Sequence, residues 1–210
     1  MSLRLCKLPL LAALIALVAC AATTTLTSTW KAPDVQTITP SGQSVAAVFM
    51  SRQESQRRAG EETLAVNITN MGALRGIPAY TIVPNEPQMT AEAVRTKLKD
   101  AGVNAVVVMR VVGKDQRITY SPGYTAAGPY GGFGPYWGYG WGTVNSPGYL
   151  QTDTLVSVET LLYGLKDDKL LWASTSRTDN PSDLAGLVNE VASATANAMV
   201  KEGLLAAPAK

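Results

Sequence analysis

The residue best placed for chemistry is Cys20, whose thiol follows Leu17, Val18 and Ala19 at the end of an apolar segment. Two cations, Arg4 and Lys7, precede that segment, which runs from Leu8 to Val18. A charged start, a short apolar middle and small residues at the cut site are the order of a secretory signal peptide. The run is too short to cross a bilayer core, which takes ~20 residues. A thiol at this point is a nucleophile able to form a thioether. Cys6 is the only other cysteine and lies inside the signal, so residues 20–210 have no second thiol for a disulfide or a metal.

The remaining reactive side chains form no familiar catalytic set. Histidine is absent, which removes the commonest proton shuttle and metal ligand. Ser/His/Asp and Cys/His arrangements are excluded with it. Met50-Ser51-Arg52-Gln53 contains no glycine to cradle a phosphate, so nucleotide binding is disfavoured. Arg57 with Glu61 and Arg58 with Glu62 stand four apart in the weaker Arg-before-Glu order, which reads as a solvated helix face. Asp167 and Asp168 read as turn residues. Asn67-Ile68-Thr69 matches a glycosylation acceptor but falls within a predicted helix. No cofactor and no metal site are expected. The formal charge of +2 disappears when Arg4 and Lys7 leave with the signal, so there is no basic footprint for nucleic acid.

The pattern Leu17-Val18-Ala19-Cys20 resembles the lipobox of bacterial lipoproteins. That resemblance implies cleavage between Ala19 and Cys20, a diacylglyceryl thioether on Cys20 and acylation of the new amino terminus, commonly with palmitate. The bilayer, reached through the acyl chains on Cys20, is then the first partner. An Asp after the cysteine holds many members of that family at the inner membrane. Ala21 stands there instead, which implies the outer membrane facing the periplasm. The alternative is an ordinary secreted protein cut after Cys20 or Ala22.

The elements that must position anything further read as one α/β domain over residues 44–205, preceded by a signal over 1–19 and a lipidated tether over 20–43. Within the tether, Thr23–Trp30 alternates as an edge strand would. Ser44–Met50 reads as a strand, and Ser51-Arg52-Gln53-Glu54 has capping-box spacing, opening a helix to about Met71 with Gly72 as its end. Leu64, Ala65, Ile68 and Met71 form its inward stripe. Ala79–Val83 reads as a second strand stopped by Pro84. Thr90 caps a helix with Val94, Leu98 and Ala101 on one face and Gly102 at its end. Asn104–Val112 carries an unbroken β-branched run and is predicted at the sheet centre. This order implies a parallel strand-helix-strand-helix-strand core with right-handed crossovers. Thr152–Leu165 and Leu170–Thr178, joined by a charged turn, add an antiparallel hairpin to make a mixed sheet. Asn180-Pro181 opens a C-terminal helix whose Leu184, Leu187, Val188, Val191, Ala194, Ala198 and Met199 recur every three or four residues, with Gly203 at its end.

Residues 121–149 interrupt this plan. They hold 8 of the 14 aromatic residues and 9 of the 18 glycines, a composition unsuited to helix or central strand. Connections of this length are either functional or structureless. Tyr130, Phe133, Tyr136, Trp137, Tyr139 and Trp141 are the candidate partner-binding residues, since flat rings suit sugars, lipid headgroups or a protein partner. The other reading is a low-complexity insertion whose aromatics cover its own sheet. Ligands of open α/β sheets sit outside the carboxyl ends of parallel strands. Ser51, Arg52, Gln53 and Arg110 are therefore the candidate groove edge, with Asn85, Glu86 and Gln88 nearby and the aromatic segment as a roof.

Beyond the anchor, Trp30-Lys31-Ala32-Pro33, the Arg57–Glu62 helix with Gly72, Gly102-Val103-Asn104-Ala105 and Leu170-Leu171-Trp172 resemble small bacterial envelope lipoproteins built on a domain of unknown function. The resemblance spans most of residues 28–200 and implies no activity. The expectation is a non-enzymatic, membrane-anchored lipoprotein binding an envelope protein or a glycan such as peptidoglycan through its aromatic loop. The alternatives are an enzyme on cell-wall or lipid substrates using carboxylates such as Glu86 or Glu159, and a structural envelope protein without a specific ligand.

Overall fold

A computed structural model describes residues 23–35, 37–38, 42–71, 74–84, 89–121 and 149–206. The described chain is an α/β domain with a mixed six-stranded sheet and three helices. In chain order these are β1 (Thr23–Lys31), β2 (Gln43–Met50), α1 (Glu54–Asn70), β3 (Leu74–Pro78), α2 (Ala91–Asp100), β4 (Ala105–Ser121), β5 (Tyr149–Gly164), β6 (Lys169–Asp179) and α3 (Leu184–Lys201). The strand order is β1-β6-β5-β4-β2-β3. β2 pairs in parallel with both β3 and β4, whereas β4, β5, β6 and β1 are antiparallel to their neighbours.

The alternation of β2 sorts its residues between two cores. Val45, Ala47 and Phe49 pack with Leu64, Ala65 and Ile68 of α1 and with Leu187, Val188 and Val191 of α3. Ala46 and Val48 face the other way, onto Leu98 of α2 and onto Ala79 and Val83 beside a short 3-10 turn at Ala79–Thr81. A strand covered on both faces has no polar alternation, which is why the run is apolar throughout. Trp172 of β6 lies fully buried under α3, and its indole N–H donates to Glu202 Oε2 at 2.8 Å.

Several expected elements lie elsewhere. The second strand is Leu74–Pro78, and Ala79–Thr81 is the 3-10 turn after it. Gly76 and Pro78 disguised it, since both residues normally argue against a strand. Here Gly76 is required: a Cβ there would overlap the backbone carbonyl of Ala65 on α1. Pro78 is tolerated because β3 is an edge strand at its last residue. Ser51 does not cap α1. The N-cap is Gln53, without a side-chain bond, while the Ser51 hydroxyl accepts from Gln53 N and donates to Gln56 Oε1. α3 begins at Leu184, with Asp183 accepting from Gly186 N, and not at Pro181. Asn180 instead turns the chain in the left-handed region at φ 51°. Thr90 caps α2 as expected, and Gly102 follows it at φ 73°. Ala101, however, is exposed. Gly72 lies outside the described residues.

Two extensions matter for function. β1 enters the sheet at Thr23, inside the segment expected as a tether, and Ala32 N continues the pairing by donating to Leu171 O at 3.0 Å. The strand predicted to end at Val112 runs on to Ser121, paired with β5 as far as Tyr149. Overpacking at a site without room costs about 1–3 kcal/mol. Gly76→Ala is therefore expected to lower stability by at least that much in urea unfolding. Gly113→Ala, which meets only Ser157 at 3.5 Å, should cost less.

Candidate functional site

Beside the carboxyl ends of β2 and β3, the protein's own charges join α1 to the chain that follows β3. α1 covers one face of the sheet and α2 the other, while the strand order β3-β2-β4 puts the switch point between β2 and β4, at Met50 and Arg110. Glu61 on α1 has no exposed surface and Arg57, one turn earlier, is 2% exposed. Arg57 Nη1 stands 3.4 Å from Glu61 Oε1, and its Nη2 donates to the Pro84 carbonyl at 3.0 Å. Glu61 Oε2 accepts from the Tyr80 backbone N–H at 2.6 Å. A charge removed from water needs a partner of opposite sign and further hydrogen bonds. This pair has both. The reading of Arg57 and Glu61 as a solvated face is thus corrected: the four-residue spacing was right, but α1 turns this side toward the chain that follows β3.

An exposed layer covers the buried one. Arg58 donates to Glu54 Oε1 at 2.6 Å, not to Glu62, and its guanidinium lies 4.9 Å from the Tyr80 ring centre. The Tyr80 hydroxyl donates to Glu62 Oε1 at 2.6 Å, which holds the phenol above its ordinary pKa. Hydrogen bonds from Arg58, then from Arg57, hold the Glu54 carboxyl below its usual value. The cluster is a fully paired clamp between α1 and the turn after β3.

The four groove-edge residues divide. Met50 stands beside Arg110 in the parallel register, so the end of β2 and Arg110 do come together. Arg110 is engaged with Glu159 of β5 at 2.8 Å, its partner in the antiparallel register. Ser51 and Gln53 are bonded within their own turn, and Arg52 is exposed. Asn85, Glu86 and Gln88 lie outside the described residues, as do Tyr130, Phe133, Tyr136, Trp137, Tyr139, Trp141, Ala19 and Cys20. The root of the aromatic segment is Ser121, eleven residues beyond Arg110 and so roughly 35 Å further along the strand. That separation removes the segment's root from the groove edge it was expected to roof.

Sequence reasoning missed the ribbon formed by β4 and β5 beyond the sheet. β2 ends opposite Arg110, and β6 ends opposite Leu155. Past both points, among the described residues, β4 and β5 pair only with each other. Val111 and Val112, where β2 has ended but β6 has not, and Ile118 of the ribbon are three of the six large apolar residues exposed among the described residues. The signal was present as Ile118-Thr119-Tyr120 and Tyr149-Leu150, β-forming residues flanking the glycine-rich stretch. Near its root, Asn180 Nδ2 donates to Asp153 Oδ1 at 2.9 Å, the main cause of that carboxyl's lowered pKa. Elsewhere, a cavity of about 50 Å³ between α1, α3 and the sheet is walled by apolar residues such as Leu64, Ile68 and Met199. Its size suits a small apolar group rather than a substrate. Among the described residues no group of three or more His, Cys, Asp or Glu could hold a metal ion, and no helix is long and apolar enough to cross a membrane.

No protein-family model and no curated protein matches this sequence. Among solved structures, the chain is similar to the PelC dodecamer from Paraburkholderia phytofirmans, at 12% identity and a TM-score of 0.44, covering 83% of this chain and 95% of that one. It is similar to lipoprotein GNA1162 from Neisseria meningitidis, at 16% identity and a TM-score of 0.41, covering 76% and 99%. A third similarity is to the hypothetical protein CT253 from Chlamydia trachomatis, at 10% identity and a TM-score of 0.38, covering 77% and 97%.

Breaking a buried ion pair by removing one partner costs about 3–5 kcal/mol. Glu61→Gln is expected to lose that much in urea unfolding, and Arg57→Met with Glu61→Leu together less than the single changes summed. Glu54 has a folded pKa below 4.5, so its contribution is complete above that value and is lost as pH falls through the lower folded value. The stability difference between wild type and Glu54→Gln should therefore shrink in that acid range.

Proposed function

We propose that this chain is a non-enzymatic lipoprotein of the bacterial cell envelope, anchored through acyl chains on Cys20 in the outer membrane and facing the periplasm. Its task is to present a binding arm. The observation that supports this reading is the β4–β5 ribbon, which places the two roots of the aromatic segment, Ser121 and Tyr149, well beyond the ends of β2 and β6. An arm of this kind serves recognition, because connecting segments held by a rigid scaffold can vary without cost to the core. The partner is an envelope protein or a glycan such as peptidoglycan, met by Tyr136, Trp137, Tyr139 and Trp141. Rings with one polar atom each can stack on sugar faces or fill a pocket on a protein.

The carboxylate-enzyme reading has less to recommend it. Glu159, one of its two candidates, is committed to Arg110 on the open face of the sheet. Two tests separate the parts of the proposal. Cys20→Ser is expected to abolish incorporation of labelled palmitate and to release the protein from the envelope fraction. Replacing residues 136–141 by Gly and Ser is expected to leave anchoring and folding intact and to remove retention of envelope proteins or sacculi in pull-downs. Unchanged retention by a folded variant would overturn the binding role.

A further inference from the structure

Both ends of interest leave the sheet on the same side. Thr23 of β1 stands opposite Asp179 of β6, Asp179 opposite Leu155 of β5, and Leu155 opposite Asp115 of β4. These four residues form one row across the sheet. Three successive antiparallel pairings make β1 antiparallel to β4. Going back along β1 toward Cys20 is therefore the same direction as going forward along β4 toward Ser121.

The two segments differ in reach. Cys20 is three residues upstream of Thr23, a leash of at most about 10 Å even if fully extended. Beyond Asp115, β4 runs six more residues to Ser121, paired with β5 throughout, a projection of roughly 20 Å. The headgroup layer on one side of a bilayer is only about 5–7 Å thick, taking the difference between the whole bilayer and its hydrocarbon core. A ribbon longer than leash and headgroup layer together cannot point at the membrane without entering it. If the domain tilts, the ribbon lies along the surface instead.

We infer that the end of the β4–β5 ribbon, residues 116–121 with 149–154, is a second membrane contact that seats in the lipid headgroup region beside the anchor. The inference rests on the lipid-anchor reading of Cys20. The chemistry of the described residues fits that layer. Ile118 is 67% exposed, far more than its type favours in water, and stands opposite Thr152. Arg117 lies opposite Asp153, one register position nearer the sheet. An apolar residue among polar and charged neighbours suits the boundary between headgroups and hydrocarbon, not the hydrocarbon core itself. Among the described residues no strand pairs with the ribbon edges beyond β2 and β6, and full burial in hydrocarbon would strand unpaired backbone groups there.

The test uses the mature chain from residue 20, which contains every described element. With Cys20→Ser that chain has no cysteine, so a single introduced thiol can carry an environment-sensitive fluorophore. A polyhistidine tag at the amino terminus holds the protein on nickel-chelating vesicles of phosphatidylethanolamine and phosphatidylglycerol, in place of the acyl chains. Ile118→Cys, labelled, should show a blue shift, a several-fold rise in emission and quenching by brominated lipid. The same label at Lys166→Cys, in the turn at the opposite end of the sheet, should show none of these. Equal, water-like emission at both positions on co-floating, folded protein would overturn the inference. The tether replaces the anchor, so this result stands apart from palmitate labelling of the wild type in cells. Absence of that label would overturn the anchor reading alone.

Discussion

A carboxylate without any surface, Glu61, and a guanidinium almost as enclosed, Arg57, hold α1 to the chain that follows β3. Chain leaves β2 through α1 on one face and leaves β3 on the other, and these two side chains tie the departures to each other. Glu61 takes the backbone N–H of Tyr80, and Arg57 gives to the carbonyl of Pro84. Neither charge could be left alone in such a place, because an unpaired buried ion costs several kcal/mol. The register of α1 against the turn at Ala79–Thr81 is thus specified by electrostatics, while apolar packing on either side is less particular about it. Gly60 serves the same closeness, since a Cβ there would run into the Phe49 ring.

The same clamp engages its own charges internally. Its polar groups are satisfied by one another, and Arg58, Tyr80, Glu62 and Glu54 close it from outside. Chemical interest moves to the opposite half of the sheet, where strands are antiparallel and unequal in length. β4 and β5 outrun both neighbours, and two strands alone are marginal in water. Such a ribbon needs something to lie against, and the register puts it at the same end of the sheet as the start of β1 at Thr23.

Much of this was legible from residue patterns. The helices over Glu54–Asn70 and Ala91–Asp100, the apolar strand at Gln43–Met50 and the hairpin around the Lys166–Lys169 turn follow from periodicity and turn chemistry. The pieces that were not legible share a cause. Leu74–Pro78 contains a glycine and a proline that local propensity counts against a strand, yet Gly76 is there to admit the Ala65 carbonyl. Ser51-x-x-Glu54 matches a capping box, but the helix starts two residues later and Gln53 takes the cap position. Arg57 and Glu61 look like any exposed pair because spacing says which residues are neighbours on a helix and nothing about what the helix faces.

The sequence alone determined the periodic elements, the short apolar run that leads to Cys20, and the absence of histidine and of any cysteine besides Cys6 and Cys20, since composition and local pattern are properties of the chain itself. Tertiary structure decided that the charge pair is buried, that it joins α1 to the chain after β3, and that the ribbon and the start of β1 share one end of the sheet. Those outcomes depend on which strands become neighbours and in what register, and a one-residue slip would turn every side chain to the other face.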